Sequence, residues 1–103
     1  MTAEQFRKVA LKLPGAVEAA HNSHPDFRVK GKVFASLGYP DDCWAMVKLT
    51  PEQQDSFVAK APDIFKPCNG AWGRRGCTNV HLASANRNLL SAALDAAFKN
   101  IAS

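Results

Sequence analysis

Apolar residues recur at helical spacing in three segments of the chain, and the first segment shows the pattern most clearly. Thr2-Ala-Glu-Gln5 is typical of a capping box, in which two side chains satisfy free backbone N–H groups at the start of a helix. The apolar stripe that follows consists of Phe6, Val9, Ala10 and Leu13. Pro14-Gly15 then ends the predicted first helix.

Alternating apolar and polar residues predict strands in the next third of the chain. We expect a short edge strand over residues 16–21, a hairpin over 27–37 and a strand over 43–49. The second face of the predicted sheet carries Phe34, Trp44 and Met46. We expect a helix to cover this face, because large apolar patches are seldom left open to water.

The hairpin is predicted to turn at Lys30-Gly31-Lys32. A three-residue turn with Gly31 in a left-handed conformation pairs Val29 with Val33 and Phe27 with Ala35. The predicted hairpin therefore ends in a tip with two lysines.

A second capping box, Thr50-Pro-Glu-Gln53, begins a helix that Pro62 ends. Residues 63–67 are predicted to form an irregular turn that docks Ile64 and Phe65 into the core. A last strand turns Thr78, Val80 and Leu82 to one face and Cys77, Asn79 and His81 to the other. Ser84 or Asn86 then caps a C-terminal helix with a broad apolar stripe.

The order of these elements is helix, four strands in a meander, helix, strand, helix. Sequential antiparallel strands with helices grouped around them favour an α+β fold over a doubly wound sheet. We expect one domain over residues 1–103, with an antiparallel sheet of about five strands packed with N-terminal, middle and C-terminal helices.

Composition narrows the class of protein. The chain is 47% hydrophobic and 21% charged, which is ordinary for a soluble globular domain. No apolar run is long enough to span a membrane, and the N-terminus does not resemble a secretory leader. Three cysteines without a CxxC pair favour reduced thiols, so we expect a cytoplasmic protein. We also expect a monomer.

The positive charge is concentrated in the last third of the chain. Residues 1–65 contain eight Lys and Arg against eight Asp and Glu, whereas residues 66–103 contain five basic residues against Asp95 alone. The second part thus accounts for the whole net charge of +4. This asymmetry favours a polyanionic partner, although a charge of this size is also common for solubility.

Trp72, Arg74 and Arg75 lie between Gly70 and Gly76. Glycine permits positive φ and close backbone approach, so we expect the two arginines on a tight turn that leads into a strand. Guanidinium groups match phosphate or carboxylate oxygens. In the alternative interpretation, Trp72 closes one end of the core and the arginines are solvated loop charges.

Metal and catalytic patterns are weak. His21 and His24 have a metal-ligand spacing, but the segment precedes Pro25, is not helical in pattern and offers no third ligand. Asp41 and Asp42 lie in a predicted loop over residues 38–42 and resemble turn formers rather than a catalytic pair. Without a nucleophile–base pair or a phosphate-binding glycine motif, we expect a non-enzymatic protein with no metal and no cofactor.

Several segments together resemble the MmcQ/YjbR family over nearly the whole chain. They are Phe6-Arg-Lys, Leu13-Pro-Gly, His24-Pro-Asp-Phe-Arg-Val-Lys-Gly-Lys-Val-Phe-Ala35, Met46-Val-Lys-Leu-Thr-Pro-Glu-Gln-Gln54, Ala61-Pro, Phe65-Lys-Pro and Gly70-Ala-Trp-Gly-Arg-Arg-Gly76. The resemblance implies a bacterial cytoplasmic protein with the α+β fold of CyaY-like proteins, and DNA binding through a double wing of hairpins. It does not bring iron binding, since the one-sided charge here is basic. Cys77 departs from the family pattern, where we expect a larger, often aromatic, residue.

Our leading hypothesis is a non-enzymatic DNA-binding module with weak sequence preference. The candidate contact residues are Arg28, Lys30, Lys32, Lys48, Lys66, Trp72, Arg74 and Arg75. The rival hypothesis is a protein- or ligand-interaction module, in which Trp72, Arg74 and Arg75 hold a carboxylate of a partner. DNA binding requires the basic hairpin tip and the arginine pair to lie side by side and point outward.

Overall fold

The computed structural model describes residues 1–21, 23–38 and 41–103. The strands in this part of the chain are β1 (Val17–His21), β2 (His24–Val29), β3 (Lys32–Leu37), β4 (Trp44–Lys48), β5 (Phe65–Pro67) and β6 (Cys77–His81). The helices are α1 (Ala3–Leu11), α2 (Pro51–Lys60), α3 (Gly70–Arg74) and α4 (Arg87–Ala102). The strands form one antiparallel sheet in the order β1-β2-β3-β4-β6-β5. The predicted α+β class is confirmed.

The predicted helix starts are confirmed. Thr2 and Gln5 form a reciprocal capping box at α1, and Thr50 and Gln53 form another at α2. At α4 the side-chain oxygen of Asn86 accepts a 2.8 Å hydrogen bond from the backbone N–H of Leu89. Asn86 is therefore the cap, rather than Ser84. None of the described helices is both long and apolar enough to cross a bilayer.

The β2–β3 hairpin corrects the predicted turn. Lys30 and Gly31 both have positive φ, 53° and 78°, which is the geometry of a two-residue turn. The register pairs Val29 with Lys32, Arg28 with Val33 and, beyond a β-bulge, Phe27 with Ala35. The predicted three-residue turn and its Val29–Val33 pair are thus wrong. The Phe27–Ala35 pair is confirmed, because the bulge places one additional residue of β3 between this pair and the turn.

The bulge also decides the position of Phe34. Instead of lying on the second face of the sheet, this side chain is fully buried, and its ring meets the ring of Phe98 in α4 edge-on at 5.6 Å. Phe27 faces α1, with its ring 5.9 Å from that of Phe6. The core therefore lies between one face of the sheet and the helices.

The other face of the sheet carries Trp44 and Met46, both half-buried. Their ring and sulfur contacts come from strand residues: the indole lies 4.9 Å from the His81 ring, and the Met46 sulfur lies 3.5 Å from the Cys77 sulfur. The prediction that a helix covers this surface is wrong for the described chain. We call it the open face.

Residues 63–67 and 38–42 are the two remaining segments that were predicted to be irregular. Residues 63–67 were expected to form an irregular turn, but Phe65–Pro67 is an edge strand, in which Phe65 pairs with Val80. Ile64 and Phe65 are buried as predicted. The predicted loop over residues 38–42 includes residues 39 and 40, which lie outside the described residues.

Candidate nucleic-acid interface

The glycine-rich segment folds into the short helix α3 and a sharp turn into β6. At Gly73 a Cβ atom would lie 1.8 Å from the carbonyl oxygen of Cys68, and at Gly76 one would lie 2.0 Å from that of Leu49. Gly76 also has a φ of 107°, which favours glycine. Because Gly73 and Gly76 have no Cβ atom, α3 and the turn after it pack directly against the backbone of Cys68 and Leu49. The predicted turn into a strand is confirmed, with a helical turn inserted.

Gln54 holds α3 to the rest of the molecule, a role not predicted from the sequence. Its buried amide nitrogen donates to the carbonyl oxygens of Gly73 and Cys77, at 3.0 and 2.9 Å, and to the hydroxyl of Thr78 at 3.1 Å. The sequence does indicate that Gln54 faces inward, because it lies three residues before Phe57 on the inner side of α2.

The outer side of α3 presents the aromatic and basic residues to solvent. Trp72 is 61% exposed, so the interpretation in which its indole closes the core is wrong. The guanidinium of Arg75 lies 5.7 Å from the centre of the Trp72 ring, within the range of a cation–π contact. Arg74 and Arg75 are both exposed.

The last turn of α4 lies between α3 and the hairpin tip. The ammonium of Lys30 donates a 2.9 Å hydrogen bond to the carbonyl oxygen of Ala102. Two residues earlier, the amide of Asn100 donates to the carbonyl oxygen of Lys48 at 3.0 Å. A cavity of about 130 Å³ beside this turn is lined by Lys48, Leu49, Trp72, Arg75, Cys77, Asn100 and Ile101. The two basic elements therefore flank the same helix end.

We define the basic end as Lys30, Lys32, Lys48, Arg74 and Arg75. Among the described residues, none of these five side chains has a carboxylate oxygen within 4.0 Å. Their positive charges are consequently not neutralised by ion pairs within the described part of the chain. The C-terminus of α4 adds the partial negative charge of its carbonyl groups, which the Lys30 ammonium offsets.

Two of the seven basic residues among the predicted contacts are not part of the basic end. Arg28 forms a two-pronged ion pair with Asp26, at 2.8 and 3.1 Å, and these hydrogen bonds raise the pKa of its guanidinium. The ammonium of Lys66 lies over the ring of Trp44 on the open face, 5.7 Å from its centre. The structure thus separates Arg28 and Lys66 from the other six candidates.

Asp41 has a structural role, since its carboxylate accepts a 2.8 Å hydrogen bond from the backbone N–H of Cys43. This bond fits the interpretation of Asp41 as a turn former. In the described part of the chain, no three His, Cys, Asp or Glu side chains group in a way that could hold a metal ion. The side chain of His21, half of the H-x-x-H pair, lies outside the described residues.

Comparison with known proteins gives the family and the fold. A search of curated proteins finds no match. The fold is similar to that of the Deinococcus radiodurans protein DR2400, whose crystal structure contains a domain of the DUF419 family. That likeness has a TM-score of 0.76 at 20% identity and covers 94% of this chain and 75% of the other. The YjbR family model matches residues 11–100, and the chain therefore belongs to the YjbR family.

Proposed function

We propose that this chain is a non-enzymatic DNA-binding module that contacts phosphates through its basic end. The observation that supports this function best is the position of the last turn of α4. Lys30 bonds to Ala102 on one side of this turn, and Arg75 shares a cavity with Asn100 and Ile101 on the other. Lysines and arginines that are distant in the sequence thus flank one helix end, which supports a shared contact surface.

The chemistry of this surface suits phosphate groups. Arg74 and Arg75 are exposed, permanently charged and free of carboxylate partners among the described residues. A guanidinium in this state can form two parallel hydrogen bonds to one phosphate. The exposed indole of Trp72 adds a flat surface on which an unpaired base can stack.

The shape of the interface favours binding with little sequence preference. Reading bases in the major groove normally requires a helix or a two-stranded ribbon to enter it. Helix α3 has five residues, and its exposed side chains are Ala71, Trp72 and Arg74. Contacts to the backbone position a protein on DNA without reading its sequence, and we expect such contacts to dominate here.

The salt dependence of binding to random-sequence DNA tests this proposal. If about four phosphates are neutralised, the logarithm of the binding constant should fall against the logarithm of salt with a slope of about −3.6. This slope corresponds to about a hundredfold loss of affinity between roughly 50 and 200 mM salt. Fluorescence anisotropy with labelled duplex and single-stranded oligonucleotides measures both. No binding at low salt, or a slope close to zero, would contradict the proposal.

The cavity favours a second candidate function, an interaction module for a carboxylate-bearing partner. Lys48 and Arg75 place two cations around a space of about 130 Å³, with Trp72 as an apolar wall. This volume accommodates several water-sized groups, enough for a single small anion. This candidate predicts a weaker salt dependence and no retention of the protein on heparin or DNA resin.

A further inference from the structure

Cys68 and Cys77 face one another across the β5–β6 pair. Pro67 pairs with Thr78, so Cys68, the next residue, lies opposite Cys77, and its backbone N–H donates to the Cys77 carbonyl oxygen at 3.0 Å. Opposite residues of antiparallel strands have Cα atoms about 4.5–5.5 Å apart, which is within the range that a disulfide spans. Each thiol shifts the pKa of the other, which requires the two side chains to lie close together. Backbone position therefore allows a bond between these sulfurs.

The two thiols differ in acidity. The interaction with the Cys68 thiol and, to a smaller extent, the charge of Lys48 lower the pKa of Cys77 to about 7, against the opposing effect of partial burial. The same interaction, together with burial, raises the pKa of Cys68. Near neutral pH Cys77 is consequently in part a thiolate, whereas Cys68 is a thiol. A thiolate is the reactive form of cysteine.

The surroundings of the pair leave the thiolate accessible and in a positive environment. Both cysteines are half-buried, and the cavity beside α4 reaches Cys77. The charged groups around it are Lys48 on β4 and Arg75 after α3, which line that cavity. The ammonium of Lys66 on β5 lies instead over the ring of Trp44. The neutral contacts are the Met46 sulfur, 3.5 Å from Cys77, and the Asn79 side-chain oxygen, 3.3 Å from the Cys68 sulfur.

Cys43 provides a contrast within the same chain. It is exposed just before β4, five residues and about 17 Å of strand away from Lys48. Repulsion by the carboxylate of Asp41, with a smaller effect of Asp42, raises the pKa of its thiol. Cys43 is the most exposed of the three cysteines, but its raised pKa disfavours the reactive thiolate. We therefore expect Cys77, whose pKa is lowered, to react faster than Cys43.

We propose that Cys68 and Cys77 form a reversible oxidation site for hydroperoxides, in which Cys77 is the attacking residue and Cys68 the resolving residue. The Cys77 thiolate attacks a peroxide oxygen, the O–O bond breaks, and the leaving alkoxide or hydroxide takes up a proton. Cys77 is then a sulfenic acid. The Cys68 sulfur attacks the Cys77 sulfur, the S–O bond breaks, and hydroxide leaves with the Cys68 proton as water. Two thiols and one hydroperoxide thus give one disulfide, one alcohol or water, and one water.

The short separation of the cysteines makes this disulfide easy to reduce. The bond would close a loop of residues 69–76, and short loops gain the least stability from a cross-link. A small thiol can reopen it by exchange, forming a disulfide of its own. This inference concerns the cysteines alone and does not depend on DNA binding.

The test uses the reduced full chain with one equivalent of hydrogen peroxide, in the presence of a metal chelator. After quenching with an alkylating reagent, peptide mass spectrometry should find Cys68 linked to Cys77 within one molecule and Cys43 alkylated. A dithiol reductant should restore all three thiols. Oxidation of Cys43 at a rate equal to that of Cys77, or disulfides between molecules alone, would overturn the proposal.

Two variants separate the roles of the cysteines. In C68S a sulfenic acid should persist on Cys77 and be trapped by a dimedone reagent, because no resolving thiol remains. In C43S the peroxide reaction should proceed at the wild-type rate, within about twofold, since the reactive pair is intact. A C43S variant that loses most of its reactivity would show that the wrong cysteine has been assigned. These readouts do not require a Cys77 variant to fold.

Discussion

The ammonium of Lys30 and the carbonyl oxygen of Ala102 are joined by a 2.9 Å hydrogen bond, although the two residues are 72 positions apart in the chain. This bond fixes the tip of the β2–β3 hairpin against the end of α4. Because the same helix end borders the cavity beside α3, the hairpin tip and the arginine pair lie next to one element. The basic end is therefore a product of the fold.

Removing the hydrogen bond between Lys30 and Ala102 should slightly destabilise the folded protein. We expect K30A to lower the free energy of unfolding by about 0.5–1 kcal/mol, because a charged hydrogen bond to a helix C-terminus is lost. K32A is the matched control, since Lys32 is exposed at the same tip and should stay within about 0.5 kcal/mol of wild type. Urea denaturation measures both. An equal loss in the two variants would mean that the bond to Ala102 contributes nothing.

The packing of α3 can be tested with two glycine substitutions. G73A should lower the free energy of unfolding by about 2–4 kcal/mol, because its Cβ would overlap the Cys68 carbonyl oxygen and force α3 outward. G70A is the control. Gly70 has a φ of 70° and open space around its Cα, so alanine there should cost only about 1 kcal/mol of backbone strain. Thermal or urea unfolding that ranks G70A as the more damaging change would contradict this account of α3.

The cysteine pair predicts a pH dependence of stability for the reduced protein. In the folded state the pKa of Cys77 is lowered from its ordinary value of 9.0 to about 7. A lowered pKa stabilises the folded state above the unfolded value, and this contribution is lost as the pH falls through about 7. Stability should accordingly rise between about pH 7 and pH 9. Above that range it should fall, since the raised pKa of Cys68 keeps this thiol protonated in the folded state while the unfolded chain ionises.

Denaturation of the reduced protein at a series of pH values measures this effect. C77S should remove the rise, because serine has no charge to gain in this range, whereas C43S should retain it. A rise that survives in C77S would assign the effect to another group.

The sequence was sufficient to predict the helix caps and most of the strands, because these depend on local patterns. Thr2, Thr50 and Asn86 each cap the helix that their neighbours indicated. The position of Phe34 could not be predicted in this way. It depends on a β-bulge that arises from the competition between a two-residue turn at Lys30-Gly31 and the Phe27–Ala35 pair further along the hairpin.

The remaining features of the site depend on contacts between distant segments. Gln54 is an ordinary polar residue in the sequence, and its three hydrogen bonds exist only because α3 and β6 pass beside α2. Cys68 and Cys77 likewise become neighbours only when β5 pairs with β6, a strand pair that the predicted irregular turn excluded. The separation of Arg28 from the basic end follows from its ion pair with Asp26, two residues away on the same strand.

The most direct test of the proposed function compares DNA binding by R74A/R75A and K60A/R87A. Both variants lose two positive charges, but the second loses charges outside the basic end. Lys60 is the last residue of α2, and Arg87 lies about 22 Å along α4 from Ala102. In fluorescence anisotropy at low salt, R74A/R75A should bind random duplex at least about tenfold more weakly than K60A/R87A, with a salt slope smaller in magnitude by about 1.8. Equal affinities for the two variants, or R74A/R75A within about twofold of wild type, would contradict phosphate binding at the basic end.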